Sequence, residues 1–338
     1  MPTVAAFYRF TPFDDPAALR GMLEDVCAVQ DVRGTLILAK EGINGTLAGG
    51  RAAVGAVLNR IRSLPGCADL EWRESEATQM PFGRMKVRVK PEIVTLGAPG
   101  ADPARAGGRY VDPAAWNALI AAPDVAAIDT RNAYETAIGT FEGAIVPKTK
   151  RFRDFPAWWA EHRDRFRGKR IAMFCTGGIR CEKSTAFLRT QGIEEVHHLE
   201  GGILKYLEQV PARESLWRGG CFVFDERVAV GHGLAPLANT LWRACRRPVA
   251  RRDRTRPEFE PGVRCHNCVD EYGETDRARF RERQRQIDLA AARGQAHVGA
   301  PTRIPAAGPP MGAASQSGEG PRGGLRNPGS RRSARWTG

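Results

Sequence analysis

The run Ile171-Ala172-Met173-Phe174 ends on Cys175, and the loop Thr176-Gly177-Gly178-Ile179 leads to Arg180 and the helical pattern CEKSTAFLRTQG. A short apolar strand that passes through a glycine turn into a helix is the building unit of a parallel sheet covered on both faces. That commits this part of the chain to an α/β fold. AAIDTR and EVHHLEGG offer two further strands of the same kind, with FPAWWAEHRDRF and GGILKYLEQV as helices between them. Residues 121–217 therefore read as one open, parallel-sheet domain.

In open α/β sheets ligands bind at the carboxyl ends of the strands, which is where Cys175 falls. Gly177 and Gly178 permit positive φ, so successive backbone N–H groups can converge on one point. That cradle, the helix N-terminus behind it and the Arg180 guanidinium all favour an anion. They are expected to pull Cys175 below the usual thiol pKa of about 8.5, giving a nucleophilic thiolate at neutral pH. The alternative is an inert cysteine packed after an apolar strand. Cysteine phosphatases place five residues between Cys and Arg, whereas Thr176–Ile179 are four. The tighter loop suits a terminal sulfur better than a phosphoryl group.

Four separated motifs make this segment resemble a rhodanese domain. They are Asp129-Thr130-Arg131, Gly139-Thr140-Phe141-Glu142-Gly143-Ala144 (with Thr140 where the family usually has His), the Cys175–Arg180 loop, and Glu200-Gly201-Gly202-Ile203. The resemblance implies that Cys175 carries sulfur as a persulfide, with Arg180 stabilising the anion. Cys181 has two open readings, a resolving thiol for Cys175 or a small apolar residue packed under the helix.

Residues 1–97 alternate strand and helix signals in the order βαββαβ, the pattern of a ferredoxin-like domain. VAAFYRF, RGTLILA, GTLAG and ADLEWRESEA are the strands, and MKVRVKPEIVTL adds one more. Asp14 or Asp15 with Pro16 marks the start of the first helix. Residues 98–120 are rich in Gly, Pro and Ala and read as a linker. Residues 218–299 hold a cysteine-containing segment and an arginine-rich helix, roughly Asp276 to Arg293. Residues 300–338 have almost no apolar content and are expected to be disordered.

Charge points to a partner. The chain has 51 Lys and Arg against 38 Asp and Glu, a net +13, and basicity rises towards the C-terminus. Such an excess favours a polyanion, most simply nucleic acid. Arg84, Lys86, Arg88 and Lys90 alternate with Met85, Val87 and Val89, so four cations share one face of a predicted strand. These are the candidate RNA-binding residues. Eight cysteines in 338 residues are not a disulfide framework. With no stretch of about 18 apolar residues and no signal-peptide pattern at the start, a cytoplasmic location with reduced thiols is expected.

The whole order of motifs resembles one family, the rhodanese-containing tRNA uridine hydroxylases. AKEGINGTLAG, MPFGRMKVRVKPEIVTLG, FCTGGIRCEKS, GGCFVFDERVAV and RERQRQ…ARGQAHVG carry the match from residue 4 to about 299. The resemblance implies oxygen-dependent hydroxylation of the wobble uridine of tRNA to 5-hydroxyuridine, with molecular oxygen as co-substrate and tRNA as partner. It names no electron donor. No stable protein partner is legible. The sequence shows no facial triad of two His and a carboxylate, and no nucleotide-binding glycine motif in a strand–turn–helix setting. Six histidines leave an iron site open.

Members of that family commonly carry two Cys-x-x-Cys pairs, the arrangement of a structural zinc site. Here Cys265-His266-Asn267-Cys268 is intact, but Trp242 stands where the first pair, before Cys245, would begin. Three thiolates remain, with His232, His266 or Cys221 as possible fourth ligands. The alternative is a lost metal with Trp242 packed in its place, so no metal ligands are assigned. Two other functions fit the residues: a sulfurtransferase passing persulfide sulfur to a small acceptor or tRNA, and a non-catalytic tRNA-binding adaptor.

Overall fold

The computed structural model describes residues 1–294 except 225, 226, 243, 246 and 250. The expected disordered tail, 300–338, lies outside the described residues. The first sheet is built from β1 (Thr3–Phe10), β2 (Arg33–Ala39), β3 (Gly42–Gly49), β4 (Trp72–Glu76) and β5 (Met85–Val89), with helices α1 (Pro16–Val29) and α2 (Arg51–Arg62). Its order is β4-β1-β3-β2-β5. The first four strands follow the expected βαββαβ path, and β5 adds to the edge parallel to β2. Asp15 caps α1 by accepting from the Ala17 and Ala18 amides at 2.9 and 3.1 Å, with Pro16 in the first turn.

Strand alternation divides this sheet into two faces. Ala5, Phe7, Leu36, Leu38 and Val87 point to α1 and α2, where they bury against Leu23, Cys27, Val57 and Ile61. Ala6, Tyr8, Thr35, Ile37 and Thr46 carry no helix and form one wall of a cleft.

The composition of 98–120 suggests a linker, but the segment is folded. It carries α3 (Pro103–Ala106), β6 (Arg109–Val111) and α4 (Pro113–Ile120). Asp102 and Asp112 cap the two helices by accepting amide hydrogen bonds, and Trp116 is fully buried. Then come β7 (Val125–Asp129), α5 (Ala133–Thr136), β8 (Gly139–Phe141), α6 (Phe155–His162), β9 (Arg170–Phe174), α7 (Ile179–Thr190), β10 (Val196–Leu199) and α8 (Gly202–Gln209). The second sheet is wholly parallel in the order β6-β10-β9-β7. Ile171 and Met173 face Phe155, Trp159 and Leu188, while Ala172 and Phe174 face Trp116, Ile203 and Tyr206. Both faces are covered, as a parallel sheet requires.

The boundary expected at 217/218 is crossed by strand pairing. β11 (Trp217–Gly219) joins β8 antiparallel, and buried Trp217 packs on Phe141 with ring centroids 5.1 Å apart. Beyond it lie β12 (Cys221–Phe222), β13 (Ala229–Val230), β14 (Thr240–Leu241), β15 (Pro248–Val249) and helix α9 (Glu274–Ala292). No helix among the described residues is long and apolar enough to cross a membrane.

Candidate active site

Cys175 stands between the end of β9 and the start of α7, fully buried beneath its loop. Gly178 adopts φ +100° and turns its amide onto the Cys175 Sγ at 3.2 Å. Burial alone would raise the thiol pKa. The hydrogen bond from Cys181, the charge of Arg180 and the backbone amides of Cys181 and Arg180 outweigh it and bring Cys175 down to about 6. Cys181 moves the opposite way, pushed up by burial and by its neighbour's negative charge. One thiolate and one thiol therefore share the pocket. Cys181 packs in the apolar cluster under α7, beside the Cys175 thiolate and 3.7 Å from the Thr130 hydroxyl.

The loop is braced from the other side by the late glycine pair. The Ile203 and Leu204 amides donate to the Cys175 and Thr176 carbonyls at 2.9 and 3.1 Å. Gly202 sits at φ +66°, and a Cβ there would lie 2.6 Å from the Cys175 carbonyl oxygen and 2.7 Å from the Gly178 nitrogen. This close approach accounts for the Gly201-Gly202 motif.

Arg180 does not reach freely towards the sulfur. Its Nη1 and Nη2 donate to Glu135 at 2.6 and 2.8 Å, and Nη2 also donates to the Thr176 hydroxyl at 3.3 Å. Burial would raise the Glu135 pKa, but Arg180 outweighs it and keeps the carboxyl ionised. Arg180 thus acts on the anion as a fixed charge. A second buried pair, Asp129–Arg131 at 2.7 Å, ties β7 to β8: Thr140 donates to Asp129 at 2.8 Å and Arg131 to the Gly139 carbonyl at 2.6 Å. Thr140, standing where a histidine is usual, holds that carboxylate.

The first turns of α7 also bind the N-terminal sheet. Lys183 donates to both Glu41 oxygens at 2.7 and 2.6 Å, to Glu92 and to the Val94 carbonyl. Glu41 in turn accepts from the Ile93 amide at 2.7 Å. Glu182 accepts from the Tyr8 hydroxyl at 2.5 Å. Further along, Arg73 donates to Glu208, and Arg227 to Ser75. The motifs around residues 41, 92 and 175–184, separate in sequence, meet here.

Between the two sheets lies a cleft of about 1460 Å³ that contains Cys175. Its walls mix aromatic and basic side chains, among them Tyr8, Trp72, Arg73, Tyr110 and Arg227. Arg62 lies 4.3 Å over the Trp72 ring. Of the strand cations expected to bind RNA, Lys90 lines this cleft, and Arg84 and Arg88 are exposed beside it in sequence while Lys86 is half-buried. The arginines of α9 are largely matched by carboxylates: Arg281 with Glu260 and Glu274, Arg285 with Glu282, Arg279 with Asp276.

Relatives decide the family. Residues 2–93 match the UPF0176 acylphosphatase like domain and residues 112–209 the rhodanese-like domain. A tRNA uridine(34) hydroxylase of Jannaschia sp. (strain CCS1) is 64% identical over 300 residues, covering 89% of this chain and 99% of the relative. This chain belongs to the tRNA uridine(34) hydroxylase family. The hydroxylases of Ruegeria pomeroyi and Caulobacter vibrioides are 61% and 57% identical, over 88% and 89% of this chain and 99% and 98% of their own.

The cysteines of this hydroxylase near its C-terminus also converge. Cys245, Cys265 and Cys268 bring their sulfurs within 4.8 Å of one another, the one such metal-ligand group among the described residues. None of His232, His266 and Cys221 joins them there. Cys221 packs instead in the second sheet's core, and Trp242 packs beside the three thiols against Phe259, ring centroids 4.6 Å apart. Hydrogen bonds from Cys245 and Cys265 pull Cys268 well down. A soft cation such as zinc fits three thiolates at this spacing.

Sequence reasoning missed Glu135, Tyr8, Tyr110 and the Glu41–Lys183–Glu92 set. Glu182 and Lys183 lay inside a quoted motif, and Asn132–Glu135 has the spacing of a capping box, whose Glu135 carboxylate accepts from the Asn132 amide at 3.1 Å.

Proposed function

We propose that this chain hydroxylates uridine 34 of tRNA at ring carbon 5, with the Cys175 thiolate as the reactive sulfur and molecular oxygen as co-substrate. The observation that carries the reading is the thiolate's position. It lies in a cleft between two domains whose walls alternate aromatic rings, on which a base can stack, with arginines that can hold phosphates. Membership of the hydroxylase family supplies the reaction class.

Cys175 attacks the terminal sulfur of a persulfide donor, which leaves as a thiol, and holds the transferred sulfur as Cys175–S–S⁻. The Gly178 amide and the Arg180 charge stabilise that anion. Glu135 fixes Arg180, and Cys181 donates a hydrogen bond. Arg84, Lys86, Arg88 and Lys90 contact tRNA phosphates, Lys90 from the cleft wall itself. Cys245, Cys265 and Cys268 would supply three thiolates to a zinc ion, which would tie together the fold around Trp242.

The test is mass analysis of tRNA from a strain lacking the protein, complemented with wild-type or Cys175→Ser protein. Loss of one oxygen at uridine 34, restored only by wild type, is expected. Loss of sulfur would make the protein a thiolating sulfurtransferase. Full restoration by Cys175→Ser would make it a binding adaptor.

A further inference from the structure

We propose that Glu182 is the proton-transfer residue of this reaction, its carboxylate removing the hydrogen from carbon 5 of the bound uracil ring. The inference rests on the reading of the cleft as the uridine hydroxylation site. Once oxygen has bonded to carbon 5, that carbon is tetrahedral; its C–H bond then breaks, the electron pair restores the ring's C5–C6 double bond and the proton passes to a base. No oxidant or reductant takes part in that step.

Geometry selects Glu182 among the carboxyls that line the cleft. Glu92 is bound to Lys183, Glu200 to Lys205, and Asp69 to Arg9 at 3.6 Å, while Glu71 is exposed. Each of the first three is neutralised by a cation. Glu182 is held by a neutral phenol, Tyr8 from β1 at 2.5 Å, with the Tyr110 phenol of β6 close by. It lines the same cleft as Cys175. The charged groups facing it are the Cys175 thiolate from the loop and Arg9 from β1. Burial, the largest influence, and the thiolate raise its pKa; the two phenols and Arg9 oppose them without cancelling the rise. A carboxyl whose pKa is raised is a stronger base than a free one and still loses its proton to water afterwards. The Tyr8 phenol, reaching across from the N-terminal domain, fixes its orientation.

The sign of the pH dependence follows. The base must be ionised, so turnover rises as pH climbs through the raised Glu182 pKa. The test uses the full-length protein and a tRNA carrying deuterium at carbon 5 of its uridines. Glu182→Gln is expected to cut turnover about 100-fold with an unchanged KM for tRNA. It should also enlarge the deuterium isotope effect, because C–H cleavage then limits the rate. The ultraviolet absorbance of the Cys175 thiolate should persist, and Glu182→Asp should recover part of the rate. Unchanged turnover, a change in KM alone, or lost turnover with the wild-type isotope effect would each overturn the assignment. If Glu182→Gln does not fold, Glu182→Asp carries the same isotope readout, and a wild-type value there overturns the assignment too. A wild-type enzyme that leaves uridine 34 unoxidised would instead refute the function on which the assignment rests.

Discussion

Cys175 is wholly buried, and burial disfavours an ionised thiol, yet the hydrogen bonds and the Arg180 charge around it win. Its folded pKa is lowered, so the thiolate is present above the shifted value and is lost as pH falls through it. The difference in ultraviolet absorbance between wild type and Cys175→Ser should therefore rise through about pH 6. A midpoint near that of a free thiol would show that the loop does not activate the sulfur. Cys175 and Arg180 were legible because loop chemistry is local: a strand end, two glycines and a cation within six positions. Glu135 was not. The ion pair it makes spans 45 positions, and only the meeting of α5 with the loop reveals that both terminal nitrogens of Arg180 are already engaged.

The loop keeps its shape because α8 starts against it. Gly202→Ala should displace the Cys175 carbonyl or the Gly178 amide, at a cost of about 1–3 kcal/mol for the strained backbone alone. Calorimetry should record a lower Tm, and the thiolate titration should shift upward. Gly177→Ala meets nothing within 4 Å and should leave both unchanged. Equal tolerance of the two variants would show that the glycine pair does not brace the site. Elements with strong periodicity, such as β1, α1, α2 and β9, were readable from the sequence. The stretch 98–120 was misread because its Gly, Pro and Ala content outweighed two short signals, Asp102-Pro103 and Asp112-Pro113. Both pairs are helix starts. The pairing of β6 with β10 had no local signal, since a three-residue strand shows no period.

Across the molecule, Lys183 is the clasp. It sits in the loop's own helix and binds Glu41 and Glu92 of the N-terminal domain, so the walls of the cleft are held by the segment that presents the sulfur. The βαββαβ order and the parallel sheet were each legible in sequence; their shared cleft was not, because ion pairs between domains carry no period. The basic strand was also visible in advance, and its role is open to measurement. Arg88→Glu with Lys90→Glu should weaken tRNA binding and flatten its salt dependence by about 0.9 log unit per lost phosphate contact per decade of salt. Unchanged affinity would remove this strand from the RNA surface.

The central claim is that the Cys175 thiolate works on uridine 34 with oxygen. Mass analysis of tRNA from cells grown under heavy-isotope oxygen, with wild-type or Cys175→Ser protein as the sole copy, tests it most directly. Wild type should place one heavy oxygen on uridine 34, and Cys175→Ser none. Heavy oxygen in the Cys175→Ser cells, or sulfur in place of oxygen in the wild type, would contradict it.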